Sequence, residues 1–372
     1  MRLLHVYSGN LFGGIESLLL TLTRYRSARE LDAEVALCFD GRLARELEAA
    51  GVRVHRLGEV RVSRPQTIHR ARRALSDLIA RERFDSVVCH AAWPYAIFAG
   101  AVRRAAVPLV FWAHDAAAGR HWSERWARRT TPDLIVANSH FTASTLSALF
   151  DTARADVIYA PVAAPARATA AERAGIRREL QTPADAVVIA QASRLEPWKG
   201  HHVLLAALAK LRRRSEWVCW IVGGPQRAEE RRYAETLAGL ADRLGIADRV
   251  RFAGERNDAA RIVAGADVLC QPNVRPEPFG IALVEALASG RPVVTSAFGG
   301  AIEIVDESCG RLVPPGDSAS LAGVLESLIR DASLRGRLSD AAPARARLLC
   351  DPATQMRRLQ EYLESVTAAG TV

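Results

Sequence analysis

Short apolar runs rich in Val and Ile alternate along this chain with stretches of helical periodicity. One series of runs covers residues 3–7, 34–38, 86–89, 109–112, 134–137 and 156–159, and a second covers 187–190, 217–222, 250–252, 268–271, 293–295 and 310–313. Apolar strands separated by helical segments predict parallel sheets wrapped by helices, an α/β architecture. Between the two series, Ala160-Pro161-Val162-Ala163-Ala164-Pro165-Ala166-Arg167 is rich in Pro and Ala and lacks periodicity, as a linker does. The expectation is two Rossmann-like domains, residues 1–166 and 167–351, with a cleft between them. Residues from Pro352 onward again have helical character.

One helical stretch carries more than packing. In Pro276-Glu277-Pro278-Phe279-Gly280-Ile281-Ala282-Leu283-Val284-Glu285-Ala286-Leu287-Ala288-Ser289-Gly290, every residue from Phe279 to Ala288 except Glu285 is apolar or Gly. Gly290 and Pro292 supply the stop. A helix apolar all round is a buried helix, and a carboxylate inside it needs a fixed partner, because an unpaired one costs several kcal/mol. A ligand rich in hydroxyls would serve Glu285. Glu277 lies just before the helix, where the amides of Phe279, Gly280 and Ile281 are first-turn donors of the kind that receive anions.

Composition narrows the class. A chain of 372 residues is long enough for two cores, and no apolar stretch approaches the roughly 20 residues of a membrane helix. The N-terminal run Met1 to Gly9 is too short for a secretory signal and reads as a buried strand ending in a Gly turn, so cytoplasmic residence is expected. Cys38, Cys89, Cys219, Cys270, Cys309 and Cys350 lie far apart without C-x-x-C spacing, which suggests neither a zinc site nor a disulfide scaffold. The net charge is +9, and residues 1–166 hold 22 Arg against 16 Asp plus Glu, a net +6. That excess fits either scattered solvated arginines or contact with an anionic membrane or acceptor. The arginines form no dense tract and no nucleic-acid-binding signature accompanies them, so nucleic acid is not an expected partner.

The form E-P-F-G-x4-E-A-x-A-x-G-x-P-V-V, with Glu277 and Glu285 as its glutamates, resembles the signature of family-4 retaining glycosyltransferases of the GT-B fold. The resemblance implies that Glu277 contacts the hydroxyls of a donor sugar and Glu285 the ribose hydroxyls of its nucleotide. It also implies that the C-terminal helix, residues 352–372, returns to the N-terminal domain. Ser193-Arg194-Leu195-Glu196-Pro197-Trp198-Lys199-Gly200 matches the family's S-R-x-x-x-x-K-G and follows the first strand of the second domain, at a carboxyl end where α/β folds bind ligands. Arg194 and Lys199 there can neutralise a departing diphosphate without a metal. Only Lys199 and Lys210 are lysines in a chain that otherwise writes arginine, which singles out Lys199. No Asp-x-Asp occurs, so the usual metal clamp of GT-A glycosyltransferases is missing and no cofactor is expected.

Further motifs are thinner. Gly13-Gly14-Ile15-Glu16 resembles the family's G-G-x-E loop, which faces donor phosphates and acceptor. By itself it is as much a tight turn as a ligand loop. His114 follows an apolar strand, where the family places a histidine against the donor sugar. Asp115 either binds the acceptor or caps the next helix, and Asn138 with Ser139 reads as the cap of the helix from His140. Gly223, Gly224 and the segment 254–257 with Arg256 lie where the family encloses the base. Gly299-Gly300-Ala301-Ile302-Glu303 resembles its G-G-x-x-E, with Glu303 ordering the sugar loops. Trp122 and Trp126, one helical turn apart among Arg125, Arg128 and Arg129, read either as packing or as a bilayer-interface stripe.

The expected function is sugar transfer from a nucleotide-sugar donor to a glycan, lipid-linked or small-molecule acceptor, with retention by same-face attack. A nucleotide-sugar epimerase or hydrolase, distinguished by activity without an acceptor, and a non-catalytic binding protein are the rival readings.

Overall fold

The computed structural model describes residues 1–25, 31–151, 155–163 and 167–369. Positions 164–166 of the predicted linker and 370–372 of the predicted terminal helix lie outside them. The chain divides into two compact units, one from Met1 to Pro161 together with the segment from Cys350, the other from Val162 to Leu349.

The first unit is built on seven parallel strands: β1 (Arg2–Tyr7), β2 (Asp32–Leu37), β3 (Val54–Arg56), β4 (Ser86–His90), β5 (Leu109–Ala113), β6 (Leu134–Ala137) and β7 (Ala155–Val157), ordered β3-β2-β1-β4-β5-β6-β7. Alternate residues serve opposite faces. Leu4, Val6, Val87, Cys89, Phe111 and Ala113 join the core under helices Pro65–Glu82 and Ala92–Arg104, while Val35 and Leu37 pack on helices Gly14–Arg24 and Arg42–Ala49. β3 has no counterpart in the sequence reading. Its three residues are half-buried or exposed, so no apolar run announces it.

The C-terminal helix Pro352–Ala369 belongs to this unit, as the resemblance implied. Its Met356, Leu359 and Leu363 are buried, and Tyr362 Oη donates to the carbonyl of Ile135 at 3.2 Å.

The second unit has six parallel strands: β8 (Val187–Ala192), β9 (Trp217–Val222), β10 (Val250–Gly254), β11 (Val268–Gln271), β12 (Val293–Ser296) and β13 (Gly310–Val313), ordered β10-β9-β8-β11-β12-β13. One face is covered by helices His201–Lys210, Ala228–Arg243 and Ser318–Arg330, the other by Ala170–Glu179 and Ala259–Gly265. The direction of winding reverses between β8 and β11. At such a switch point the loops after the two strands diverge to opposite sides of the sheet and leave a crevice at their carboxyl ends. Both units are thus Rossmann-like.

All six cysteines are buried free thiols, and burial pushes Cys38 and Cys219 up to about 12. No helix among the described residues is long and apolar enough to cross a membrane.

Candidate active site

The switch point of the second unit brings together the two motifs that the sequence singles out. After β8 the chain makes a single helical turn, Pro197–Lys199, then reverses at Gly200 into the helix His201–Lys210. Gly200 has φ +75°, and a Cβ there would enter the van der Waals envelope of the Pro272 carbonyl oxygen after β11. Only glycine lets the two loops touch. That contact sets Lys199 over the end of β11, where its Nζ lies 2.7 Å from Glu277 Oε2.

Glu277 is 8% exposed. A carboxylate so enclosed needs donors, and the same oxygen accepts from Asn273 Nδ2 at 2.6 Å and Gln271 Nε2 at 3.1 Å. Its backbone carbonyl accepts from Gly300 N–H at 2.7 Å, which ties the loop after β12 to the loop after β11. The Lys199 carbonyl in turn accepts from Gln191 Nε2 at 2.7 Å, and its ammonium lies 3.9 Å from the centroid of the Trp198 ring. Gln191, Gln271 and Asn273 are therefore parts of the site that sequence reasoning missed. Their signal was available: each is a buried amide at or just beyond the carboxyl end of an apolar strand.

Arg194 sits beside this pair in sequence and carries its own carboxylates, Glu196 Oε2 at 3.1 Å and Glu230 Oε1 at 3.9 Å. Glu230 is buried and its other oxygen accepts from Gln226 N–H at 2.6 Å, so the guanidinium is held from the helix Ala228–Arg243.

The helix of the second glutamate runs Ile281–Ala288, two residues shorter at its start than the apolar run. Gly280, with φ +109°, turns the chain into it and leaves Phe279, 2% exposed, anchored in the core. The helix is not buried all round. Ile281, Ala282 and Glu285 are half-buried on one face, so Glu285 lies on the helix's open side.

Gly223 follows β9 and donates its N–H to the Gly254 carbonyl at 3.0 Å. Arg256 is engaged by Asp258 Oδ1 at 2.8 Å and Glu179 Oε1 at 2.6 Å, and these partners raise its pKa. Glu303 lies half-buried in the short helix Ala301–Ile304, whose carbonyls at Glu303 and Ile304 accept from Arg345.

In the first unit, Gly13 precedes the helix Gly14–Arg24 and its N–H donates to Glu16 Oε2 at 2.8 Å. Glu16 Oε1 accepts from Tyr7 Oη at 2.8 Å, which closes the carboxylate in a buried cradle at the end of β1. His114, just beyond β5, is buried, and Asp115 beside it is exposed. Both line a cavity of about 280 Å³ whose walls include Trp93, Phe111, Leu149 and His121. Asn138 Nδ2 donates to the His114 carbonyl at 3.2 Å. Ser139 caps the helix His140–Thr145 through its Oγ, which accepts from Thr142 N–H at 2.9 Å.

His114 does not stand alone. Its Nε2 lies 2.9 Å from His90 Nδ1, and His90 Nε2 lies 2.9 Å from His5 Nδ1. Burial drives these imidazoles toward the neutral form, with His5 lowered to about 4, His114 to about 3 and His90 well below its ordinary value.

Trp122 and Trp126 both pack against the first unit's core, with ring centroids 6.0 Å apart, and Arg72 lies over Trp126 at 5.5 Å. Arg125, Arg128 and Arg129 are exposed.

The family model "Glycosyl transferases group 1" matches residues 172–345, and "Glycosyltransferase Family 4" matches residues 12–164. A D-inositol 3-phosphate glycosyltransferase of Stackebrandtia nassauensis is 33% identical over 267 residues, 65% of this chain and 59% of that one. A phosphatidyl-myo-inositol mannosyltransferase of Mycobacterium leprae is 37% identical over 179 residues, 47% of this chain and 46% of the relative. The chain thus spans roughly half the length of these curated relatives. Anabaena Alr3699/HepE, solved in complex with UDP and glucose, superposes with a TM-score of 0.85 at 27% identity, covering 98% of this chain and all of the other.

Proposed function

Since the chain belongs to the family-4 glycosyltransferases of the GT-B fold, we propose that it moves a sugar from a nucleotide-sugar donor to an acceptor hydroxyl, with retention and without a metal. The observation that carries this reading is the Lys199–Glu277 pair at the switch point of the second sheet, 2.7 Å apart, with Arg194 on the same loop. In the reaction the C1–O bond to the diphosphate breaks and its electron pair stays on the leaving phosphate oxygen. The acceptor oxygen bonds to C1 from the same face and its proton passes to that phosphate. Lys199 and Arg194 stabilise the charge that builds on the diphosphate. Glu277 orients Lys199 and offers its carboxylate to the sugar hydroxyls, and Glu285 faces the ribose. In the first unit, His114 serves the sugar and Asp115 the acceptor.

A uridine donor is the first choice, because the neighbour with UDP and glucose resembles this chain over its whole length. The two inositol-linked relatives favour a polyol acceptor, either free or on a lipid headgroup, and the basic first unit suits an anionic one. Peripheral contact with an anionic membrane is part of this reading.

A thermal-shift panel of UDP, GDP, ADP and TDP sugars tests it. A true donor at 100 times its dissociation constant adds about 2.7 kcal/mol of stability. UDP-glucose or another UDP sugar is expected to raise the melting temperature, and a panel flat for every nucleotide sugar would overturn the proposal.

A further inference from the structure

His5, His90 and His114 form a diagonal across three adjacent strands. His5 pairs in register with Val88, two residues before His90, and His90 pairs with Trp112, two residues before His114. Because parallel strands present every second residue to one face, the three imidazoles lie on the same face, each one step nearer the carboxyl edge than the last. The Trp112 ring stacks on both neighbours, with centroids 5.2 Å from His90 and 5.7 Å from His114. The three residues are 1%, 0% and 7% exposed, so packing fixes them, and of the three His114 alone lines the cavity.

The contacts run head to tail: Nδ1 of His5 to Nε2 of His90, then Nδ1 of His90 to Nε2 of His114, each 2.9 Å. A neutral imidazole carries one N–H and one lone pair. Two N–H groups cannot face each other at this distance, nor can two lone pairs. All three rings must then carry their proton on the same nitrogen type. With every Nδ1 protonated, His114 holds an N–H at Nδ1, its ring nitrogen not taken by His90. With every Nε2 protonated, that nitrogen is a lone pair. The choice at His114 is made jointly with His5, two side chains away and outside the lining of the cavity.

We propose that His90 and His5 are positioning residues that lock the ring and tautomer of His114, and so decide whether it meets a substrate hydroxyl as donor or as acceptor. Only the identity of that hydroxyl, on donor sugar or acceptor, rests on the transferase reading.

The test is nitrogen NMR of protein carrying ¹⁵N-histidine, which distinguishes protonated from bare ring nitrogens. Three neutral rings of one shared tautomer are expected in the wild type at pH 7. Differing tautomers, or a charged ring among the three, would overturn the relay. In His90→Phe the His114 signals should leave the wild-type pattern. His5→Phe should perturb His114 through the intact His90, and His5→Asn, whose Nδ2 or Oδ1 takes the place of Nδ1, should restore it. An unchanged His114 spectrum in either folded Phe variant contradicts the proposal. The kinetic counterpart is a fall of at least about tenfold in the turnover number of His90→Phe with UDP-glucose, with UDP affinity unchanged. An unchanged turnover number contradicts the proposal too. The spectra do not depend on catalysis, so a wild type that turns over no nucleotide sugar while showing the shared tautomer overturns the proposed function and leaves the relay standing.

Discussion

Nζ of Lys199 and Oε2 of Glu277 meet at 2.7 Å across 78 residues of chain, joining the loop after β8 to the loop after β11. The pair is enclosed, with side chains 13% and 11% exposed, and two amides share the same carboxylate oxygen. Removing one member of such a pair leaves the other partly compensated. Lys199→Ala leaves Glu277 with Asn273 and Gln271, so it should fold and lose about 1–3 kcal/mol in urea unfolding. A loss beyond about 5 kcal/mol would show that the pair holds the unit together rather than waits for a ligand.

Gly200 sets the height of Lys199. With φ +75° and the Pro272 carbonyl against it, Gly200→Ala forces the two loops apart. Calorimetry should show destabilisation of at least about 2 kcal/mol, accompanied by weaker donor binding. A variant as stable as wild type would mean that the loops do not depend on that contact.

The buried histidines give a pH signature. His5, His90, His114 and His201 have folded pKa values below their unfolded ones, with His201 lowered to about 3 by burial and by the charge of Lys199. Each binds fewer protons folded than unfolded. Its stability is complete above about pH 6.5 and falls as pH drops toward the folded pKa, by up to about 1.4 kcal/mol per pH unit for each ring. Unfolding free energy measured between pH 7 and 5 should therefore decline before the carboxylates titrate. A flat profile over that window would mean that the rings are charged in the folded protein.

How much of this was legible in the sequence varied with distance along the chain. Among the described residues, twelve of the thirteen strands show as apolar runs because parallel strands are buried on both faces, and only β3 lacks one. Lys199 and Glu277 were found by motif, and their partnership was not. Lys199 reads as a cation for phosphate until the fold brings β8 and β11 side by side. His5 and His90 were missed for the same reason, since a polar residue inside an apolar run looks like an interruption until the register aligns it with another 85 residues away. Glu285 was placed in a fully buried helix because composition alone does not reveal which side of Ile281–Ala288 stays open.

Metal dependence is open to a simple test. Two cations and no Asp-x-Asp in the sequence lead to the expectation that EDTA leaves turnover intact. Activity lost to EDTA and restored by manganese or magnesium would contradict it.

The proposed membrane contact draws on the arginines rather than the tryptophans, because Trp122 and Trp126 pack on the core while Arg125 and Arg129 are exposed. Sedimentation with liposomes containing anionic lipid should fall as salt rises. It should also weaken in Arg125→Glu with Arg129→Glu, at about 1 kcal/mol per arginine. A wild-type protein that ignores anionic liposomes at low salt points to a soluble acceptor.

The central claim, that Lys199 and Glu277 serve sugar transfer from a nucleotide sugar, is tested most directly by the rate of nucleoside diphosphate release from the donor that stabilises the protein. Wild type, Lys199→Ala and Glu277→Gln are compared under saturating donor with a polyol acceptor present, after subtraction of the release seen without acceptor. The account predicts that both variants fall by at least about tenfold, since transition-state contacts of this kind are worth about 3–4 kcal/mol. Near-wild-type release by either folded variant would contradict it.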